Sequence, residues 1–90
     1  MINSTYQNPQ SLVLRFMREK RKLTLIIVAK EIGIKAKDVD YIEKGIRIVT
    51  EEEISKFLNC YNFSIEIFTE MIKIKPLTKQ AANHYFLIKT

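Results

Sequence analysis

The stretch from Thr24 to Gly45, TLIIVAKEIGIKAKDVDYIEKG, leaves the backbone little choice. Val28, Ala29 and Ile32 recur at i, i+1 and i+4, the spacing of one helix face. Gly33 follows, where a helix ends in a residue at positive φ, a conformation that glycine adopts cheaply. Val39 and Ile42 then stand three apart in a second short pattern, closed by Gly45. Ala29 is small, and a small side chain one turn before Gly33 lets another helix cross close by. The spacing predicts a helix ending at Ile32 with Thr24 as its N-cap, a turn at Gly33-Ile34-Lys35, and a helix over about Ala36 to Lys44.

Helices are expected on either side. Asn8 suits a cap and Pro9 a first helical position, which predicts helix 1 from there to about Lys22, with Leu12, Phe16 and Val13 inward. Thr50-Glu51-Glu52-Glu53 has the form of a capping box and starts helix 4, whose Ile54, Phe57 and Leu58 share a face. Asn62 marks a turn, and Ser64 caps helix 5, with Ile65, Phe68, Met71 and Ile72 on its apolar side. Lys75-Pro76 interrupts the pattern, because a residue before proline disfavours helix. Thr78 is a candidate cap for a last helix with Ala81, Ala82, Tyr85, Leu87 and Ile88 as its apolar content. With 47% hydrophobic and 28% charged residues over 90 positions, this is globular material sized for one domain. The apolar run Leu25 to Ala29 is far below the roughly 20 residues of a membrane span, and the single cysteine, Cys60, fits a reducing compartment.

The string LT-xxx-VA-KE-IGI-xxx-DV-xx-IEKG, with Arg18 on the helix before it, resembles the Cro and lambda-repressor-like (XRE-type) helix-turn-helix domain of small bacterial and phage regulators. The resemblance covers roughly Leu12 to Phe68. It implies an all-α, five-helix Cro/repressor-like domain over residues 9–75, with a flexible N-terminus over 1–8. A C-terminal extension over 76–90, with a candidate sixth helix, lies outside the family frame. In such proteins helix 3 enters the major groove of double-stranded DNA. Carried onto this chain, the residues facing bases are Lys35, Ala36, Lys37 and Tyr41, with Asp40 also on the DNA face, while Lys44 and Arg47 follow where the backbone is touched. Lysines donate to guanine O6 or N7, an alanine meets a thymine methyl, and an aspartate accepts from cytosine N4. Arg18 and Glu43 match an ion pair that ties helix 1 to the end of helix 3, with Arg18 still facing phosphates.

The resemblance implies a cytoplasmic, sequence-specific transcriptional regulator, a repressor on a palindromic operator, acting as a homodimer without a cofactor. The segment after Pro76 is the candidate dimer contact. Three departures from the family pattern are visible. Leu25 stands where a phosphate-contacting glutamine is common, followed by Ile26 and Ile27, which deprive Thr24 of a capping-box glutamate. Asp38 and Asp40 offset the lysines of helix 3. The Ile46–Val49 loop is apolar. Leu25, Ile26 and Ile27 cannot all face one core at 3.6 residues per turn. Either the C-terminal tail covers them or they form a partner patch with Ile46 and Ile48. The second expectation is therefore a protein-interaction module on the same fold, such as an antitoxin or the accessory subunit of a toxin–antitoxin-type complex.

A formal charge of +5 is compatible with nucleic acid. Arg15, Arg18, Lys20, Arg21 and Lys22 crowd the end of helix 1, and Lys73, Lys75, Lys79 and Lys89 form a second basic stretch. His84 and Cys60 are far apart in sequence and lack metal-ligand spacing, and no glycine-rich phosphate loop is present. Neither a metal site nor catalysis is expected.

Overall fold

A computed structural model describes residues 8–89. Among them the chain forms six helices and no strand: α1 (Pro9–Lys20), α2 (Leu25–Ile32), α3 (Ala36–Glu43), α4 (Glu51–Tyr61), α5 (Ile65–Ile72) and α6 (Lys79–Lys89). The expectation of a loose N-terminus falls outside the described residues, apart from Asn8, whose side chain accepts from the Gln10 N–H and caps α1. Thr24, Thr50, Ser64 and Thr78 each accept a backbone N–H three residues on, so hydroxyl caps start four of the helices. Thr50 and Glu53 complete the capping box from both sides. Gly33 (φ 82) and Gly45 (φ 76) end α2 and α3 in the left-handed region. No heavy atom lies within 4 Å of a Cβ built on Gly33, so its φ alone calls for glycine there.

α1 is the central element. It packs against α3, α4, α5 and α6, and so it buries Val13, Leu14, Phe16 and Met17 rather than a single narrow stripe. Leu12 is only half-buried, at the margin of that face. α1 also stops two residues earlier than its sequence suggests. Arg21 caps it, and Lys22 takes a left-handed φ of 58 that turns the chain toward α2. In α5, Phe68 and Met71 are buried, whereas Ile65 at the first turn is exposed because it sits at the edge of the contact face.

The C-terminal segment folds onto α1. Ala82 and Phe86, one turn apart, are both buried, and the Phe86 ring stacks on Phe63 with centroids 5.3 Å apart. Leu87 and Ile88 point outward instead. Lys20 lies over the Phe86 ring, Lys79 approaches Glu19 at 3.8 Å, and the Tyr85 hydroxyl donates to Glu70. α6 therefore leaves the start of α2 uncovered: Ile26 remains 71% exposed and Ile27 48%, with only Leu25 partly packed on the core. Folding-back over the isoleucines, one of the two alternatives left open by sequence, does not occur.

Because Phe86 is buried against Phe63 and the α1 face, Phe86→Ala should destabilise the whole domain by about 3 kcal/mol. Equilibrium urea unfolding measures this. A loss under about 1 kcal/mol would make α6 an appendage rather than part of the core.

Candidate nucleic-acid interface

α3 has eight residues and would not persist alone. Val39 and Ile42 anchor it in the core, each fully buried, and α2 crosses it beyond the Gly33 turn. Its last residue, Glu43, is joined to α1. The Arg18 Nε and Nη2 donate to Glu43 Oε2 and Oε1 at 2.6 and 2.9 Å, and Nη1 donates to the Leu23 carbonyl at 2.9 Å. Side-chain exposure is 16% for Arg18 and 5% for Glu43, so the pair is largely withdrawn from water. The hydrogen bonds to Glu43 hold the guanidinium pKa above its ordinary value, against the opposing effect of burial. Arg18 borders a recess with Arg15, Asp40 and Lys44, but its donors are directed at Glu43 and Leu23 rather than displayed to a phosphate.

The Tyr61 hydroxyl lies buried in the same region without a direct hydrogen-bond partner. Burial, reinforced by the charge of Glu43, pushes its pKa far up, and it stays a neutral phenol.

The remaining residues expected at a DNA face divide into two groups. Lys35 caps α3 with its backbone extended, and its side chain, like that of Lys37, is exposed. Tyr41 is exposed one turn further on. Ala36, between the lysines, is half-buried and packs against the core, which limits how far its methyl can enter a groove. Asp40 is half-buried and meets Lys44 at 3.0 Å, an i,i+4 pair at the end of the helix. Arg47 makes a bidentate contact with Glu53 at 3.1 and 2.7 Å. That contact holds the Glu53 carboxyl below the usual carboxylate range and the Arg47 guanidinium above its own. Among the described residues, ion pairs thus take in Lys44 and Arg47 but neither Lys35 nor Lys37.

The basic end of α1, which invites nucleic acid when read as a string, is largely used by the fold. Arg15 pairs with Glu19 at 3.2 Å. Arg21 donates to the carbonyls of Tyr61 and Asn62 at 2.7 and 3.2 Å, and its guanidinium stacks 4.1 Å from the Phe63 ring centroid. These partners lie about forty residues away in sequence, and no local pattern signals them.

The apolar candidates remain at the surface. Ile46 is 68% and Ile48 85% exposed, while Val49 between Ile48 and Thr50 is buried. Cys60 is half-buried with its thiol pushed up by burial. No cluster of three or more His, Cys, Asp or Glu suited to a metal ion occurs among the described residues. None of the described helices is long and apolar enough to cross a membrane.

A helix-turn-helix family model matches residues 14–68, well over half the chain. The chain belongs to the Cro/repressor-like (XRE-type) helix-turn-helix family. That family is one of DNA-binding transcription regulators, generally without enzymatic activity, and this membership assigns the chain to that class. Searches of curated proteins and of solved structures each found no match.

Because Arg18 and Glu43 are both withdrawn from water, Glu43→Ala should destabilise the domain by about 3 kcal/mol, most of it from stranding the buried guanidinium. The double variant Arg18→Met/Glu43→Leu should recover most of that loss in urea unfolding. A Glu43→Ala loss below about 1 kcal/mol would show that the pair is solvated and does not fix α3.

Proposed function

We propose that the chain is a repressor that binds a palindromic operator as a homodimer, with α3 in the major groove. Lys35 and Lys37 would donate to guanine O6 or N7, Tyr41 would reach a base or phosphate, and Lys44 and Arg47 would meet the backbone. The observation that carries this reading is the exposure of Lys35, Lys37 and Tyr41 on a short helix whose opposite face is buried through Val39 and Ile42. Doubling a half-site supports the dimer, since one domain of this size makes few base contacts. The outward residues of α6, Leu87 and Ile88, are the candidate dimer contact.

A second reading has its own support. Ile26, Ile46 and Ile48 are between 68% and 85% exposed, large apolar side chains of the kind that mark an interface when they group together. On this reading the fold serves as an interaction module, such as the antitoxin of a toxin–antitoxin-type complex, with the apolar residues meeting the protein partner. Both functions can reside in one chain.

Selection of bound sites from random-sequence duplexes, at low and then physiological salt, separates them. A regulator enriches a palindrome, and Lys37→Ala then shifts preference at one position of each half-site, by about 1–3 kcal/mol between bases. Binding that physiological salt erases, with no sequence enriched, would contradict the repressor reading. On the interaction reading, Ile26→Glu abolishes partner capture and leaves thermal unfolding nearly unchanged. Retained capture would remove that patch from the interface.

A further inference from the structure

The cations that follow the reading face of α3 are held by carboxylates of the same chain, and Arg47 is held more firmly than Lys44. Its Nη1 and Nη2 donate to Glu53 Oε1 and Oε2 at 3.1 and 2.7 Å. Glu53 Oε1 also accepts the Thr50 N–H at 3.0 Å, so the carboxylate is fixed at the start of α4 independently of Arg47. The base of the Arg47 side chain is fixed as well. The Tyr41 carbonyl accepts the N–H groups of both Ile46 and Arg47, at 2.9 and 3.2 Å, which straps the loop to the end of α3. Asp38, on the first turn of α3, adds further attraction for the guanidinium.

A planar guanidinium bound end-on, through Nη1 and Nη2, by two carboxylate oxygens is arranged as it would be for a phosphate, whose oxygens accept the same pair of parallel N–H groups. Glu53 therefore occupies the pair of Nη donors with which Arg47 would grip a phosphate end-on. The rest of the α4 start reinforces this. A helix N-terminus is ordinarily attractive to phosphate, but here the first turn carries Glu51, Glu52 and Glu53.

We propose that Glu53 is an internal stand-in for a DNA phosphate, and that it sets the affinity and salt dependence of DNA binding by competing for Arg47. The proposal rests on the reading of α3 and its following loop as the DNA face. On binding, Arg47 exchanges the Glu53 carboxylate for a phosphate, so one ion pair forms as another breaks. Each phosphate neutralised releases about 0.9 of a counterion from duplex DNA. A Glu53 carboxylate left bare beside the DNA takes up a cation in return, which makes the salt dependence shallower than the number of phosphate contacts would give.

Glu53→Gln is the informative change. Glutamine at this position of the helix keeps the capping box, since its side-chain carbonyl still accepts the Thr50 N–H, while the charge that holds Arg47 is gone. The full chain, Glu53→Gln, Arg47→Ala and the double variant should be titrated with a short random-sequence duplex by fluorescence anisotropy, from low to physiological salt. Urea unfolding confirms that each is folded. Glu53→Gln should bind about fivefold tighter at low salt, with a log–log salt slope steeper by up to about one. In the Arg47→Ala background most of that gain should disappear. Equal affinity and equal slope for wild type and Glu53→Gln would overturn the proposal. Weaker binding by Glu53→Gln would overturn it too, by making Glu53 a support that presents Arg47 to DNA. If neither protein binds duplex even at low salt, the DNA-face reading itself falls, and the proposal with it.

Discussion

The bond between Arg18 and Glu43 joins the central helix of the molecule to the end of α3. α1 is the helix on which α3, α4, α5 and α6 all pack, and α3 is the short helix that exposes Lys37 and Tyr41, with Lys35 exposed at its N-cap. Burial of Val39 and Ile42 holds α3 down but constrains its roll and tilt only as far as close packing does. A two-pronged, charge-assisted contact at its last residue adds a directional constraint. The third donation, from Arg18 to the Leu23 carbonyl, ties the entry of α2 to the same guanidinium. One side chain thus sets the relative positions of α1, α2 and α3. Glu43 is 5% and Arg18 16% exposed, so losing either partner leaves the other poorly solvated.

Allocation of charge is the second theme. A formal +5 and a basic cluster at the end of α1 suggest a phosphate-binding surface, but most of that cluster performs structural tasks. Arg18 joins helices, Arg21 caps the carbonyls at the end of α4 and stacks on Phe63, Arg15 meets Glu19, and Lys20 covers Phe86. At the end of α3 the cations are again matched, Lys44 by Asp40 and Arg47 by Glu53. What remains uncommitted on this face is concentrated at the start of α3, where base edges rather than phosphates would be met. On the proposed reading, this arrangement would rely less on nonspecific phosphate attraction and more on base contacts from α3, which favours discrimination over raw affinity.

Local signals were legible in the sequence wherever local chemistry decides the structure. Thr24, Gly33, Thr50 with Glu53, and Ser64 each act within a few residues of themselves, and the helices they delimit lie where those residues place them. The five-helix frame followed from the same signals and from the Ile42-Glu43-x-Gly45 ending. What was not legible depended on contacts distant in sequence. The width of the buried face of α1 reflects how many helices surround it, so Leu14 and Met17 could not be identified from one amphipathic stripe. Phe86 stands among Tyr85, Leu87 and Ile88, and that it rather than they is buried follows only once Phe63 is brought against it. Whether the α6 segment covers Leu25, Ile26 and Ile27 was undecidable from pattern alone, and the exposed isoleucines give the answer. For the candidate site, exposure of Lys37 and Tyr41 agrees with their helical phase, one turn apart and away from Val39 and Ile42, whereas Lys35 is exposed because it caps the helix in an extended conformation. The engagement of Arg47 by Glu53 joins two motifs, a loop cation and a capping box, that sequence presents as separate.

On the proposed reading, the outer face of α3 and the loop after it form the surface that meets DNA. Titrating the labelled protein with its selected duplex, while following backbone amide chemical shifts, tests it most directly. The largest changes should fall between Lys35 and Arg47, with the buried Ala82–Phe86 face of α6 undisturbed. Changes centred on Ile26 and Ile27 instead, with the start of α3 silent, would contradict it.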